Sequence, residues 1–119
     1  MARLNRFEFI GNLTRDAELR NTGGGKSLGT ISLAVDDEWV DGSGKVQKTT
    51  EYFRVTVWEK TAVAAHKHLG KGSSVYVQGR IQNSKYEKDG ADVYVTNYNV
   101  DDIQYLSIKA PQSASDEAQ

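Results

Sequence analysis

Tyr52-Phe53-Arg54-Val55-Thr56-Val57-Trp58, residues 52–58, divides by parity into two sets. Phe53, Val55 and Val57 are all apolar; Tyr52, Arg54, Thr56 and Trp58 are not. Successive strand side chains point to opposite faces, so this period of two predicts a strand with one face in a core. The other face then carries two large aromatics with an arginine between them. A solvated strand face does not need aromatic rings. Unpaired nucleic-acid bases do, because each has a π-face, and stacking on Tyr or Trp is worth about 1–3 kcal/mol per base. A guanidinium between the rings can pair with phosphate or stack itself. Taken alone, the strand is equally consistent with packing, with Tyr52 and Trp58 covered by a loop or a second subunit, since aromatics are common in strands.

This strand reaches back to residue 46, and Asp41-Gly42-Ser43-Gly44 before it is a hairpin loop. Across that loop, residues 28–35 alternate Ile31, Leu33 and Val35 with Thr30, Ser32 and Ala34, a second half-buried strand. Residues 4–13 read as the first strand, with Phe7 and Phe9 on one face. A polar stretch then leads to a turn at Asn21-Thr22-Gly23-Gly24-Gly25. After Trp58 comes the only helical candidate, Thr61 to Leu69, with Thr61 as its cap and Gly70 as its stop. Residues 73–82 give a fourth strand, Lys88-Asp89-Gly90 a further hairpin turn, and residues 93–106 a fifth strand. Five strands with one short helix between the third and fourth is the element order of an OB-fold, an all-β, five-stranded Greek-key barrel. After Ser107 the pattern gives way to Ala, Ser, Gln and acidic residues with the only proline, Pro111. The expected organisation is a barrel domain over residues 1–106 and a disordered tail over 107–119.

Length and composition agree with a single globular domain: 119 residues, 38% hydrophobic and 26% charged. The absence of cysteine excludes disulfides and thiolate chemistry. No signal peptide follows the basic N-terminus, and no run approaches the roughly 20 apolar residues of a membrane span. The expected location is the cytoplasm, at the nucleoid, with no membrane contact. Net charge is −1, unusual for a nucleic-acid binder. Without residues 107–119, which hold one lysine and two acids, the chain has 14 basic and 14 acidic residues. Any basic surface must therefore come from segregation of charge.

Two more aromatics flank hairpin loops, where core packing explains them less readily. Trp39 lies among Asp36, Asp37, Glu38 and Asp41, and its direction is open: strict alternation from Ile31 points it inward, but the acids make unbroken alternation doubtful. Tyr86 follows Lys85 and precedes the Lys88-Asp89-Gly90 turn. The outer face of the fourth strand offers Tyr76, Gln78 and Arg80; for Tyr76 a subunit interface and a DNA contact are both open. Nothing suggests an enzyme. His66 and His68, two apart on a helix, face different ways and make no metal site. Gly23-Gly24-Gly25 lacks phosphate-loop spacing and precedes a strand. Asp36-Asp37 and Asp101-Asp102 are adjacent strand residues that diverge. No cofactor and no metal are expected.

The chain resembles the bacterial single-stranded DNA-binding protein family across nearly all of residues 4–106. The pieces are Phe9-Ile10-Gly11-Asn12-Leu13, Asp16-Ala17-Glu18-Leu19-Arg20, Ile31-Ser32-Leu33-Ala34-Val35 with Trp39 four residues on, Thr50 to Trp58, and Leu69-Gly70-Lys71-Gly72-Ser73-Ser74-Val75-Tyr76-Val77-Gln78-Gly79-Arg80-Ile81. Their order and spacing together make the resemblance specific. It implies an OB-fold, usually a homotetramer, that wraps single-stranded DNA with little sequence preference. The family's stacking aromatics fall on Trp39, Tyr52, Trp58 and Tyr86, and its backbone contacts on Arg54, Lys60, Lys71 and Lys85. Departures are Ala17 where proline is frequent, Phe53 where histidine is, and Gln82 and Ser84 where basic residues are. The family's acidic tip ending in Pro-Phe is replaced by Ser-Asp-Glu-Ala-Gln, so recruitment of its usual partners is expected to be weak or absent.

The function expected from these readings is non-catalytic binding and protection of single-stranded DNA in replication, repair or recombination, by a homo-oligomer, tetramer preferred over dimer. The rivals are an accessory, primosomal-type OB protein acting through protein contacts, and an RNA-binding OB module.

Overall fold

The computed structural model describes residues 2–112. Six strands and one helix follow in the order β1 (Phe7–Leu13), β2 (Glu18–Asn21), β3 (Ser27–Val40), β4 (Val46–Trp58), α1 (Glu59–His68), β5 (Ser74–Lys88) and β6 (Ala91–Ser107). The sheet runs β1-β5-β6-β4-β3-β2, and β1 also pairs β3 through Asn12↔Ala34 and Leu13↔Leu33. That pairing closes β1, β3, β4, β5 and β6 into a five-stranded barrel. All pairings are antiparallel except β4–β6, where Val55 meets Tyr98 and Thr56 meets Asn99. The barrel, with α1 between β4 and β5, is the expected OB-fold.

Parity builds the core. Ile31, Leu33, Val55, Val57, Val75 and Val77 are fully buried, and Phe7 and Leu13 nearly so. Ala62, Ala65 and Leu69 close one end of the barrel. At the core's margin Phe9 stacks on Phe53 with ring centroids 4.2 Å apart, and Tyr98 meets Phe53 and Phe7 edge-on. Phe53, a departure from the family pattern, thus belongs to an internal aromatic cluster.

Four sequence expectations are corrected. First, the polar stretch before the glycine turn contains β2, which pairs with β3 from Glu18↔Thr30 to Asn21↔Ser27. Second, β3, β5 and β6 continue past the core as two long hairpin ribbons. Alternating burial ends at Val35 and Ile81, while the ladders run on to Val40↔Val46 and Lys88↔Ala91. At the second tip Asp89 and Gly90 both have positive φ (52° and 79°), as a two-residue hairpin turn requires. Third, the helix begins at Glu59 instead of Thr61. Trp58 takes the N-cap position without a side-chain capping bond, and Leu69 ends the helix.

Fourth, the folded unit does not stop at residue 106. Residues 107–112 lie on the barrel as a strap. Lys109 O accepts from Gly70 N at 2.7 Å, and Lys109 N donates to Ser73 Oγ at 2.9 Å. Gln112 N donates to Asp16 Oδ2 at 3.0 Å, and Pro111 is buried. Gly70 permits this approach, since a Cβ there would lie 2.5 Å from Ala110 O. The rest of the expected tail, 113–119, lies outside the described residues.

Candidate nucleic-acid interface

The β3–β4 register fixes the outer face of the barrel. Cross-strand pairs share a face, so Ala34/Tyr52, Ser32/Arg54, Thr30/Thr56 and Leu28/Trp58 form one row. Tyr52 is 71% exposed, with only alanine opposite it, and Trp58 is 41% exposed. The two aromatics and the arginine therefore face solvent together.

Two crevices continue this row. Beside Tyr52 and Arg54, a groove of about 470 Å³ is also lined by Thr14, Arg15 and Ser32. Arg15, which the sequence did not single out, also lines a neighbouring crevice with Lys71 and Asp16. It is held 3.4 Å from Glu18. Asp16 accepts the Lys71 backbone N–H on Oδ1 at 2.8 Å and the Gln112 N–H on Oδ2. The three cations Arg54, Arg15 and Lys71 thus border contiguous hollows. Nothing in the spacing of residues 15, 54 and 71 announces this, because the fold alone joins them.

At the other end of the row Trp58 borders a groove shared with Gln82, Ser84, Asn97 and Asn99. Tyr86, 50% exposed, lies on the same face of β5 as Gln82 and Ser84, one pair further along. The remaining candidates stand apart. Lys85 points to the opposite face of the β5–β6 ribbon, where its Nζ is 3.3 Å from Asp92. Lys60 lines a separate hollow between α1 and β6, with Ile103 and Tyr105. The Tyr105 hydroxyl is pushed above its ordinary pKa by burial.

Trp39 is resolved by the unbroken β3–β4 ladder. It pairs with Gln47 on the face of Ile31, Leu33 and Val35, opposite that of Tyr52. It remains 46% exposed because the ribbon there has left the core behind. The ribbon that carries it has acids on both faces, Asp36 and Glu38 on the Tyr52 side and Asp37 on its own. Asp36 accepts from Thr50 Oγ1 at 2.7 Å and lies 3.5 Å from Lys48, and its carboxyl is lowered by the Thr50 bond first and the Lys48 charge after it. At the tip, Asp41 accepts from Ser43 Oγ, Ser43 N, Lys45 N and Gln47 Nε2. These bonds lower its pKa to about 2, the Ser43 hydroxyl contributing most.

Tyr76 sits away from this row. It pairs with Ile10 on the outer face of β1–β5, and its hydroxyl donates to Glu8 Oε2 at 2.7 Å. That bond raises the Tyr76 pKa. His66 and His68 are exposed, and His66 Nδ1 lies 3.0 Å from Ala17 O. Among the described residues no three metal-ligating side chains gather, and no helix is long and apolar enough to cross a membrane.

Known proteins match this chain along almost its full length. Residues 4–106 match the single-strand binding protein family profile. The chain is 35% identical over 113 residues to single-stranded DNA-binding protein B of Bacillus subtilis, covering 94% of this chain and 98% of that protein. Against single-stranded DNA-binding protein 2 of Staphylococcus aureus it is 39% identical over 107 residues, covering 89% of this chain and 74% of the relative. Among solved structures, a Plasmodium falciparum SSB complex with ssDNA superposes with a TM-score of 0.77 at 26% identity, covering 90% of this chain and 98% of that one. A deletion mutant of the Thermus aquaticus single-stranded DNA binding protein gives 0.78 at 29%, covering 89% of this chain and 54% of that one. With the barrel, the strand order and the exposed aromatic row in place, the chain belongs to the single-strand binding protein family.

Proposed function

We propose that this protein binds and protects single-stranded DNA with little sequence preference, during replication, repair or recombination. Bases stack on Tyr52, Trp58 and Tyr86, and phosphates meet Arg54, Arg15 and Lys71. The observation that carries this reading is the exposed row Tyr52–Arg54–Trp58 on one barrel face. Family membership and a fold shared with a relative solved with single-stranded DNA support it. Trp39 and Lys85, on the far faces of their ribbons, serve a strand that wraps the hairpins, and Lys60 flanks the path at the start of α1. The activity is binding, not catalysis. A stacking site needs unpaired bases. Tryptophan fluorescence titrations should therefore show oligo-dT binding far more tightly than duplex of equal length, and equal affinities at matched salt would refute the reading.

The working form is a homo-oligomer, tetramer preferred, because linked sites raise effective concentration on one strand. Support comes from β1. Among the described residues, Phe7–Gly11 of β1 pair only with β5, leaving an open edge, and Ile10 within this stretch is 62% exposed. Light scattering at micromolar concentration should give a multiple of the chain mass; a monomer would overturn this part.

A further inference from the structure

The groove beside Trp58 differs in kind from the one beside Arg54. It measures about 330 Å³, and none of the described residues lining it is charged; Arg80, opposite Asn99 on the same face, stands at its margin with Nε 3.4 Å from Asp101. Thr56, Trp58, Gln82, Ser84, Asn97 and Asn99 form its walls. The β4–β6 and β5–β6 registers put these side chains on one face, Thr56 beside Asn99 and Gln82 opposite Asn97. Asn99 Nδ2 donates to Gln82 Oε1 at 3.0 Å, and Asn97 Nδ2 donates to Ser84 Oγ at 2.7 Å.

Each side-chain amide has one oxygen acceptor and two N–H donors. The Asn99–Gln82 bond uses one donor and one lone pair. It leaves Asn99 Oδ1 as an acceptor beside Gln82 Nε2 as a donor. The second pair likewise leaves Asn97 Oδ1 as an acceptor and the Ser84 hydroxyl proton as a donor. A phosphate here would meet neutral donors interleaved with oxygen acceptors that repel it. A base edge has the opposite fit, since bases carry their own adjacent donors and acceptors.

We propose that this groove is an uncharged subsite for base edges: a base stacked on Trp58 hydrogen-bonds to the Gln82–Asn99 pair instead of presenting its phosphate. The inference rests on the stacking function proposed above. It also gives tolerance of sequence a physical basis. Every base has a donor next to an acceptor on its pairing edge, and the side-chain amides turn to meet either order. Binding at this subsite thus demands a base without choosing one, and adds nothing to salt dependence.

The test compares oligo-dT with an oligomer of equal length in which difluorotoluene replaces thymine. The analogue keeps thymine's shape and the phosphates but scarcely hydrogen-bonds. Affinities for both are measured with the parent and with the Gln82→Ala/Asn99→Ala protein, and intrinsic stacking differences cancel in the ratio. The parent's preference for oligo-dT over the analogue should fall by about three- to tenfold in the variant, with the salt slope unchanged. An unaltered ratio would overturn the proposal. So would a slope flattened by about 0.7, the mark of a lost phosphate contact. Gln82→Ala alone, at an exposed position, supports the same comparison should the double variant melt early. Failure of the stacking function itself reads differently: Trp58→Ala would then leave oligo-dT affinity unchanged.

Discussion

Replacing Tyr52 with alanine separates stacking from packing more cleanly than any other change on the barrel face. The residue is 71% exposed and faces Ala34 across the β3–β4 ladder. A fully buried aromatic covers about 200 Å², so Tyr52 hides only about 60 Å². At about 25 cal/mol per Å² this is near 1.5 kcal/mol, an upper bound because the unfolded chain also buries area. The melting temperature should therefore fall by no more than about 5–10 °C. Binding should suffer more: about 1–3 kcal/mol for one lost stack, or roughly 5- to 150-fold in affinity. No charge is removed, so the slope of log affinity against log salt should hold. Arg54→Ala, two residues along the same face, should do the reverse and flatten that slope by about 0.7. Tyr52→Phe keeps the ring and should bind nearly as the parent does. Equilibrium titrations with oligo-dT across a salt series, run beside thermal melts, read all three variants. If Tyr52→Phe is as weak as Tyr52→Ala, the hydroxyl acts and not the ring face. If Tyr52→Ala binds like the parent, the stacking row is not the binding surface.

Trp58→Ala should show both effects, since at 41% exposure it also packs: up to about 3 kcal/mol of stability by the same area reckoning and about 1–3 kcal/mol of binding. A variant that melts early yet binds normally once folded would make Trp58 a packing residue. A chain ending at Leu106 should melt about 5–10 °C below one ending at Gln112, because Ser73 and Gly70 lose their partners on the strap; equal melting temperatures would show the docking to be energetically idle. Gly70→Ala should move the melt in the same direction, its Cβ displacing Ala110. The Asp41 carboxyl lies below its ordinary 3.8, at about 2. The order it gives the turn is therefore complete above about pH 4 and is lost as pH falls through about 2. Amide shifts of Ser43 and Lys45 should titrate with that low midpoint, whereas a midpoint near 4 would mean the bonds do not persist in solution.

Sequence reading succeeded where a core imposes alternation and weakened where none does. Ile31 to Val35 and Phe53 to Val57 display the barrel's inner face directly, and the Tyr52–Arg54–Trp58 row follows from the same parity. Asp36–Val40 and Gln82–Lys88 lie on ribbons with no core beneath them, so their strands left no periodic trace. The strand β2 is four mostly polar residues held by its ladder to β3. The strap hid for a related reason: backbone hydrogen bonds and one proline hold it, and neither has an apolar pattern. Of the site, side chains sharing a strand were legible. Arg15 beside Arg54 and Lys71 is a juxtaposition made by the fold between segments far apart in sequence, and Asn99 beside Gln82 one set by the β5–β6 hairpin register.

The near-neutral charge, which by itself argued against a polyanion partner, becomes intelligible once charges are placed on the surface. Acids are not spread evenly against the cations. Asp36, Asp37 and Glu38 line the far part of the β3 ribbon, and Asp16 is occupied by two backbone N–H groups. Arg54, Arg15 and Lys71 face the hollows that adjoin Tyr52, while the groove at Trp58 has only uncharged walls among the described residues, with Arg80, held by Asp101, at its margin. Under the proposed function, such a surface divides the work along the strand. Phosphates are held at one end by a few cations, and bases at the other by an indole and amides. Counterion release then supplies a smaller share of the affinity than on a uniformly basic track, and stacking with base-edge contacts supplies the remainder. This division is why Gln82 and Ser84, standing where the family is frequently basic, need not leave a gap in the binding path.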